Sequence, residues 1–172
     1  GPTWFMADEH GEYAAVGLRP GSYVVNFTGP WRSPWLDMWW DGADRESKAA
    51  ALDIEPGVVL SEINAALSAP STISGRVTDP DGQPHAGIGV GAYVRQDDAP
   101  GGWNYAASRN TDSNGEFTIR GLRAGDYRLS LSPPWSGDPK YPSQWWRGTL
   151  DESAAELVDV PVEGAVRIGD MA

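Results

Sequence analysis

An internal repeat constrains this chain more than any other feature. Gly11-Glu12-Tyr13 returns as Gly115-Glu116-Phe117, 104 residues later. In the same register Gly17-Leu18-Arg19-Pro20-Gly21-Ser22-Tyr23 returns as Gly121-Leu122-Arg123-Ala124-Gly125-Asp126-Tyr127, and Pro30-Trp31 as Pro134-Trp135. The offset then becomes 106: Trp39-Trp40-x-Gly42 returns as Trp145-Trp146-x-Gly148, and Leu52-Asp53-Ile54 as Val158-Asp159-Val160. Gly57 matches Gly164 after one more inserted residue. Insertions this small are loop-length changes between two copies of one module. The copies are unequal, because residues 71–108 precede the matched part of the second and have no counterpart in the first. The expected organisation is the later part of a first module over 1–68 and a nearly complete second module over 69–172. A short Ser68-Ala69-Pro70-Ser71 linker separates them.

The second module alternates with period 2, broken by turns, which predicts strands. In Thr72–Thr78 the residues Ile73, Gly75 and Val77 share one face. Ile88, Val90, Ala92 and Val94 do the same in the next segment, and Trp103–Ser108 is a third. Phe117 with Ile119, then Tyr127 with Leu129 and Leu131, then Val158–Val162 and Ala165–Met171 complete seven strands. Asp79-Pro80-Asp81-Gly82 and Asp112-Ser113-Asn114-Gly115 are tight turns between them. Seven short strands of this kind predict an all-β fold: tandem antiparallel Greek-key β-sandwiches, the first module incomplete. The expected interior holds Ile73, Val77, Val90, Phe117, Tyr127, Leu129, Leu131 and Val160. In the first copy Tyr23, Val25, Phe27, Ile54 and Val59 need a facing sheet. A half-sandwich exposes apolar surface and strand edges, so completion is expected from the second module, a second copy of the chain, or a partner's strands. Self-association is the expectation among these.

Two stretches carry a family resemblance. Ile73-Ser74-Gly75-Arg76-Val77-Thr78-Asp79, followed by Asp81-Gly82-Gln83-Pro84 and Gly87-Ile88-Gly89-Val90, resembles the opening of carboxypeptidase regulatory-like domains. Thr111 through Ile119, then Gly121-Leu122 and Gly125-Asp126-Tyr127, resembles their middle. These modules are similar to transthyretin (the prealbumin fold), to collagen-adhesin B-type repeats and to starch-binding-like sandwiches. The resemblance implies a prealbumin-like sandwich in a secreted or cell-surface bacterial protein, acting as a spacer, stalk or binding module. Collagen-adhesin repeats often carry a Lys–Asn isopeptide bond from a first-strand Lys. Here the lysines are Lys48 and Lys140, and Arg76 holds the first-strand position, so no such bond is expected.

Composition narrows the function classes. The net charge of −11 disfavours nucleic acid and anionic membrane surfaces as partners. No apolar run reaches the roughly 18 residues of a membrane span, so no membrane insertion is expected. There is no Cys, and His10 and His85 are far apart in sequence, so neither a metal nor another cofactor is expected. Asp112-x-Asn114-Gly115-Glu116 has some calcium-loop character, but Asp8-Glu9-His10-Gly11 in the other copy breaks it, and a plain turn is preferred. No Gly-x-Ser-x-Gly elbow occurs, and no catalytic residue is assigned. Asn26-Phe27-Thr28 matches a glycosylation sequon on a strand, with Asn26 expected to face solvent.

The aromatic residues are the sharpest signal. Trp31, Trp35, Trp39 and Trp40 cluster in the first copy, and Trp135, Tyr141, Trp145 and Trp146 in the second. On extended backbone the two members of a Trp-Trp pair face opposite sides. The first of each pair is expected inside. The second, with its neighbours, is the candidate ligand platform: Trp31, Trp35, Trp40, Trp135, Tyr141 and Trp146. The expected function is a non-catalytic structural or adhesive repeat, extracellular or at the cell surface. The alternative is a carbohydrate-binding module that stacks polysaccharide on exposed Trp rings.

Overall fold

The computed structural model describes residues 1–134 and 142–170. Contacts group the chain into two units, Gly1–Trp31 with Asp37–Leu67, and Arg32–Leu36 with Ser68–Ala172. The first unit holds β1 (Gly21–Tyr23), β2 (Asn26–Phe27), β3 (Met38–Trp39) and β4 (Leu52–Ile54). The second holds β5 (Ser71–Arg76), β6 (Gly89–Arg95), β7 (Trp103–Asn110), β8 (Glu116–Leu122) and β9 (Gly125–Ser132). It continues with β10 (Gln144–Trp145), β11 (Val158–Val160) and β12 (Ala165–Arg167). The only helical elements among the described residues are single 3-10 turns.

The second unit is a β-sandwich. One sheet runs β10-β9-β6-β7, with β11 also on β9, and the other runs β12-β5-β8. The seven strands expected from the alternation are all present, and β10 is a short eighth. All eight residues expected inside are buried, joined by Ile88, Ala92, Ile119, Leu122, Trp146, Val158 and Ile168. Gly75 sits within this core because a Cβ there would lie 2.8 Å from Ile168 Cγ1 and 2.9 Å from the Phe117 ring. One expectation is corrected: β12 pairs with β5 in parallel, not antiparallel. The chain leaves β11 in one sheet and crosses to the edge of the other, and it arrives there already running the same way as β5. The crossing is held by Ser71, whose hydroxyl donates to Pro161 O (2.6 Å) and accepts from Gly164 N (2.9 Å).

The aspartate turns are built alike. Asp112 Oδ1 accepts from Asn114 N (2.8 Å) and Glu116 N (2.9 Å). Asp79 Oδ1 does the same for Asp81 N and Gln83 N, and Asp8 Oδ1 for His10 N and Glu12 N. Such side chain–backbone bonds are the reason Asp favours turns.

The repeat persists in the hydrogen bonds. Tyr23↔Leu52 in the first unit is matched by Tyr127↔Val158 in the second, and Asn26↔Trp39 by Ser130↔Trp145. Trp40 N donates to Val25 O (2.8 Å) as Trp146 N donates to Leu129 O (2.9 Å). The Tyr23 hydroxyl donates to Arg19 O (2.8 Å) as Tyr127 donates to Arg123 O (2.9 Å). The copies part where β6 enters. In the second unit β9 has β6 along its other edge, and Tyr127 is fully buried. In the first unit β1 and β2 pair on one edge alone among the described residues, and Tyr23 is half-buried.

Burial raises the Tyr127 phenol above its ordinary value near 10, against the opposing pull of the Arg123 carbonyl bond and charge. The stability this represents is therefore complete below about pH 10 and is lost as pH rises through the folded value. Tyr127→Phe is expected to cost about 0.5–1.5 kcal/mol at neutral pH through the lost hydrogen bond. It should also flatten the alkaline limb, which urea melts at pH 8 and pH 11 would measure.

Candidate functional site

The outward face of the β10-β9-β6-β7 sheet gathers two arginine and four aromatic side chains. Alternation explains how. On β9 the residues Tyr127, Leu129 and Leu131 are buried in the core, so Arg128 and Ser130 take the other face. On β6, Val90 and Ala92 are inside, which leaves Tyr93 and Arg95 outside. Register then sets the neighbours: Tyr93↔Arg128, Tyr93↔Tyr105, Arg95↔Trp103 and Ser130↔Trp145.

Arg128 is the centre of this face. Its guanidinium carbon lies 4.4 Å from the Trp103 ring centre, 4.7 Å from Trp145 and 5.9 Å from Tyr93. Its Nη2 pairs with the Glu152 carboxylate, which the 3-10 turn Glu152–Ala154 presents. That turn is capped by Asp151, whose Oδ1 accepts from Ser153 N and Oγ, and these bonds hold the Asp151 carboxyl below its ordinary value. The Arg128 side chain is itself buried. Burying a charge is costly unless it is paired, and here indole faces and a carboxylate replace part of the lost water, while Nε is buried with no hydrogen-bond partner among the described residues. Tyr93 meets Trp145 and Tyr105 edge-on, with ring centres 5.5 and 5.9 Å apart. Gly91 leaves room for this, since a Cβ there would meet Ser130 Oγ at 2.8 Å and the Tyr93 ring at 3.4 Å. Beside the stack lies a cleft of about 540 Å³, lined among others by Arg95, Asp97, Trp103, Arg128, Glu152 and Ser153. Chemically the face offers flat rings rimmed by hydrogen-bonding charges.

The residues expected on the aromatic platform fall differently. Trp31 is 87% exposed and Trp35 47%, and they belong to different units. Trp40 is half-buried. Trp135 and Tyr141 lie outside the described residues. Trp146, expected outside, is in the core at 7% exposed, while Trp145, expected inside, takes the outer face. The two rings do face opposite sides, but the phase is inverted. Trp146 N donates to Leu129 O while Trp145 stands opposite the outward-facing Ser130, and that register sets the phase. Tyr93, Trp103, Tyr105 and Arg128 were not anticipated as site residues. The alternation of β6 and β9 contains the signal for Tyr93 and Arg128, but their pairing with Trp103 and Tyr105 is a matter of register. Asn26 of the sequon is half-buried, its side-chain amide donating to Met38 O at 3.3 Å.

Comparison with known proteins bears on the same unit. Residues 72–139 match the carboxypeptidase regulatory-like domain. That span begins in β5 and runs through β9, so the matched segment includes both strands that carry Tyr93 and Arg128. A search of curated proteins finds no match. Among solved structures, the minor pilin GBS52 of Streptococcus agalactiae aligns at 15% identity over 96% of this chain and 66% of its own, with a TM-score of 0.40. A streptococcal ancillary pilin aligns at 15% identity over 88% of this chain and 44% of its own, TM-score 0.39. The 3-chlorocatechol 1,2-dioxygenase of Rhodococcus opacus 1CP aligns at 14% over 60% of each chain, TM-score 0.35. The chain thus spans under two thirds of each of these proteins. Superpositions this loose, onto pilins and an enzyme alike, assign no role.

Two substitutions separate structure from surface. Trp146→Ala should destabilise the second unit by about 3–5 kcal/mol, as truncation of a buried aromatic does, read from a urea melt. Arg128→Ala should cost roughly 1–3 kcal/mol through lost stacking and packing. It should also shift Trp emission to the red as Trp103 and Trp145 gain water, which a fluorescence spectrum would show.

Proposed function

We propose that the chain is a non-catalytic structural or adhesive β-sandwich repeat of a secreted or cell-surface bacterial protein, acting through the faces it presents. The observation that carries this reading is what the two copies share and what they do not. They share framework: the turn aspartates Asp8 and Asp112, the hydroxyl-bonded Tyr23 and Tyr127, and the pairing of Trp39 and Trp145. They differ at the outward face, where Arg128 of the second copy stands in the place of Val24 of the first. A repeated framework with a changed surface suits a building element whose specificity is grafted onto one copy.

A second reading, carbohydrate binding, is favoured by one observation: Tyr93, Trp103, Tyr105 and Trp145 share the open sheet face, and Tyr105 is 56% exposed. Flat rings on a rigid support suit sugar stacking. Titration with starch, cellulose, xylan and peptidoglycan fragments, followed by Trp fluorescence, separates the readings. The structural reading expects no saturable change. Saturable quenching that Tyr105→Ala weakens by roughly 1–3 kcal/mol, the scale of ring stacking on aromatic side chains, would establish the carbohydrate reading instead.

A further inference from the structure

The outward face of the β12-β5-β8 sheet collects cationic side chains in a chain whose net charge is −11. Ile73, Phe117, Ile119 and Ile168 are buried, so alternation turns Thr72, Ser74 and Arg76 of β5, Thr118 of β8 and Arg167 of β12 outward. Arg120 joins them. The register shift between Ser71 and Ile73 sets Arg120 and Gly121 together opposite Thr72, and Arg120 is exposed. Register also fixes the layout: Ser74 lies between Arg167 on one side and Thr118 on the other, and Arg76 lies opposite Glu116. With strands about 4.8 Å apart and a rise of about 3.4 Å per residue, the Cα atoms of the three arginines stand roughly 8–14 Å apart around a Ser/Thr centre. Arg76 Nε donates to Asn114 O (3.0 Å), which holds its guanidinium at the face. Among the described residues Glu116 is the one carboxylate these strands turn outward, 4.0 Å from Arg167, and both side chains of that pair are more than half exposed. The arginines are not part of the repeated framework. Glu12 of the first copy matches Glu116, but Ala14 stands in place of Thr118, Val16 in place of Arg120 and Leu60 in place of Arg167.

We propose that this face binds an anionic polysaccharide, its sulfate or carboxylate groups on Arg76, Arg120 and Arg167 and its hydroxyls on Thr72, Ser74 and Thr118. A guanidinium pairs an oxoanion through parallel N–H donors. Ser and Thr hydroxyls both donate and accept, as sugar hydroxyls do. The size of the face argues against a folded partner. With β5 six residues long, three strands present about 300 Å², against the roughly 800 Å² that each partner buries in a stable complex. An acidic peptide fits less well too. The sheet's own backbone groups are engaged by neighbouring strands, so a peptide lying across the face would find few acceptors for its N–H groups. The overall negative charge does not forbid the contact, because screening over about 8 Å at physiological salt leaves the ligand governed by the arginines it touches. The inference stands apart from the aromatic face and from the reading built on it.

The test uses the whole chain and two labelled probes, a heparin oligosaccharide for sulfate and an oligogalacturonate for carboxylate, followed by fluorescence anisotropy. Saturable binding of at least one is expected, weakening as salt is raised. Arg120→Gln and Arg167→Gln change exposed side chains and should each weaken it about threefold, the scale of an exposed ion pair. Together they should weaken it about tenfold, as separate contacts add. Glu116→Gln removes the competing carboxylate and should tighten binding about twofold, a gain that loss of fold would not give. Arg147→Gln, in the turn after β10 of the other sheet, and Tyr105→Ala should leave it unchanged. Failure of both probes to saturate, an equal loss with Arg147→Gln, or equal binding of neutral dextran would overturn the proposal. Polyglutamate binding more tightly than either probe would also overturn it and give the face to an acidic polypeptide. The repeat reading survives each of these outcomes, because it rests on the shared framework.

Discussion

The second unit depends on the two-sided pairing of β9. Along one edge it bonds β6, and along the other it bonds β11 through Gly125–Tyr127 and β10 through Ser130 and Leu131. A strand held on both edges has its backbone groups satisfied without water, so its residues can be fully buried at no hydrogen-bonding cost. Tyr127, Leu129 and Leu131 use that freedom to build the core against Ile73, Phe117 and Ile119 of the opposite sheet. The outward residues of the same strand inherit its rigidity. Arg128 is fixed in place because its backbone is locked between neighbours, and the rings around it come from those neighbours.

That stack is a solution to a charge problem. A guanidinium is planar and weakly hydrated, so indole faces and one carboxylate can replace part of its water, whereas an ammonium would keep its hydration shell. Trp103 and Trp145 approach from β7 and β10, and Glu152 from the 3-10 turn after β10. With Tyr93 from β6 and Arg128's own β9, five elements meet at one side chain. The same side chain closes one wall of the neighbouring cleft, which ties the surface of the unit to its packing.

The first unit shows the constraint by contrast. It repeats the turns, the tyrosine hydroxyl bond and the pairings to β3 and β4, yet among the described residues β1 and β2 are each paired on one edge. Tyr23, Val25 and Phe27 are half-buried where Tyr127, Leu129 and Leu131 are enclosed. Matching turns and hydrogen bonds thus accompany different burial, because enclosure comes from long-range neighbours and not from the local segment.

Much of this was legible in the residues themselves. The repeat, the Asp-built turns, seven of the second unit's strands and its interior from Ile73 to Val160 all follow from local rules: period-2 alternation, Gly at positive φ, and Asp side chains that bond nearby amides. Those rules act within a few residues, so the sequence alone determined them. It could not decide which ring of Trp145-Trp146 lies inside. Period 2 makes the two face opposite sides, but a two-residue strand has no phase until it docks on Ser130 and Leu131. Nor could it bring Tyr93, Trp103, Tyr105, Arg128 and Trp145 together, since they come from four strands. Their meeting, and the parallel docking of β12 on β5, were decided by the tertiary structure, because sheet register and sheet crossing are settled by pairings between residues distant in the chain.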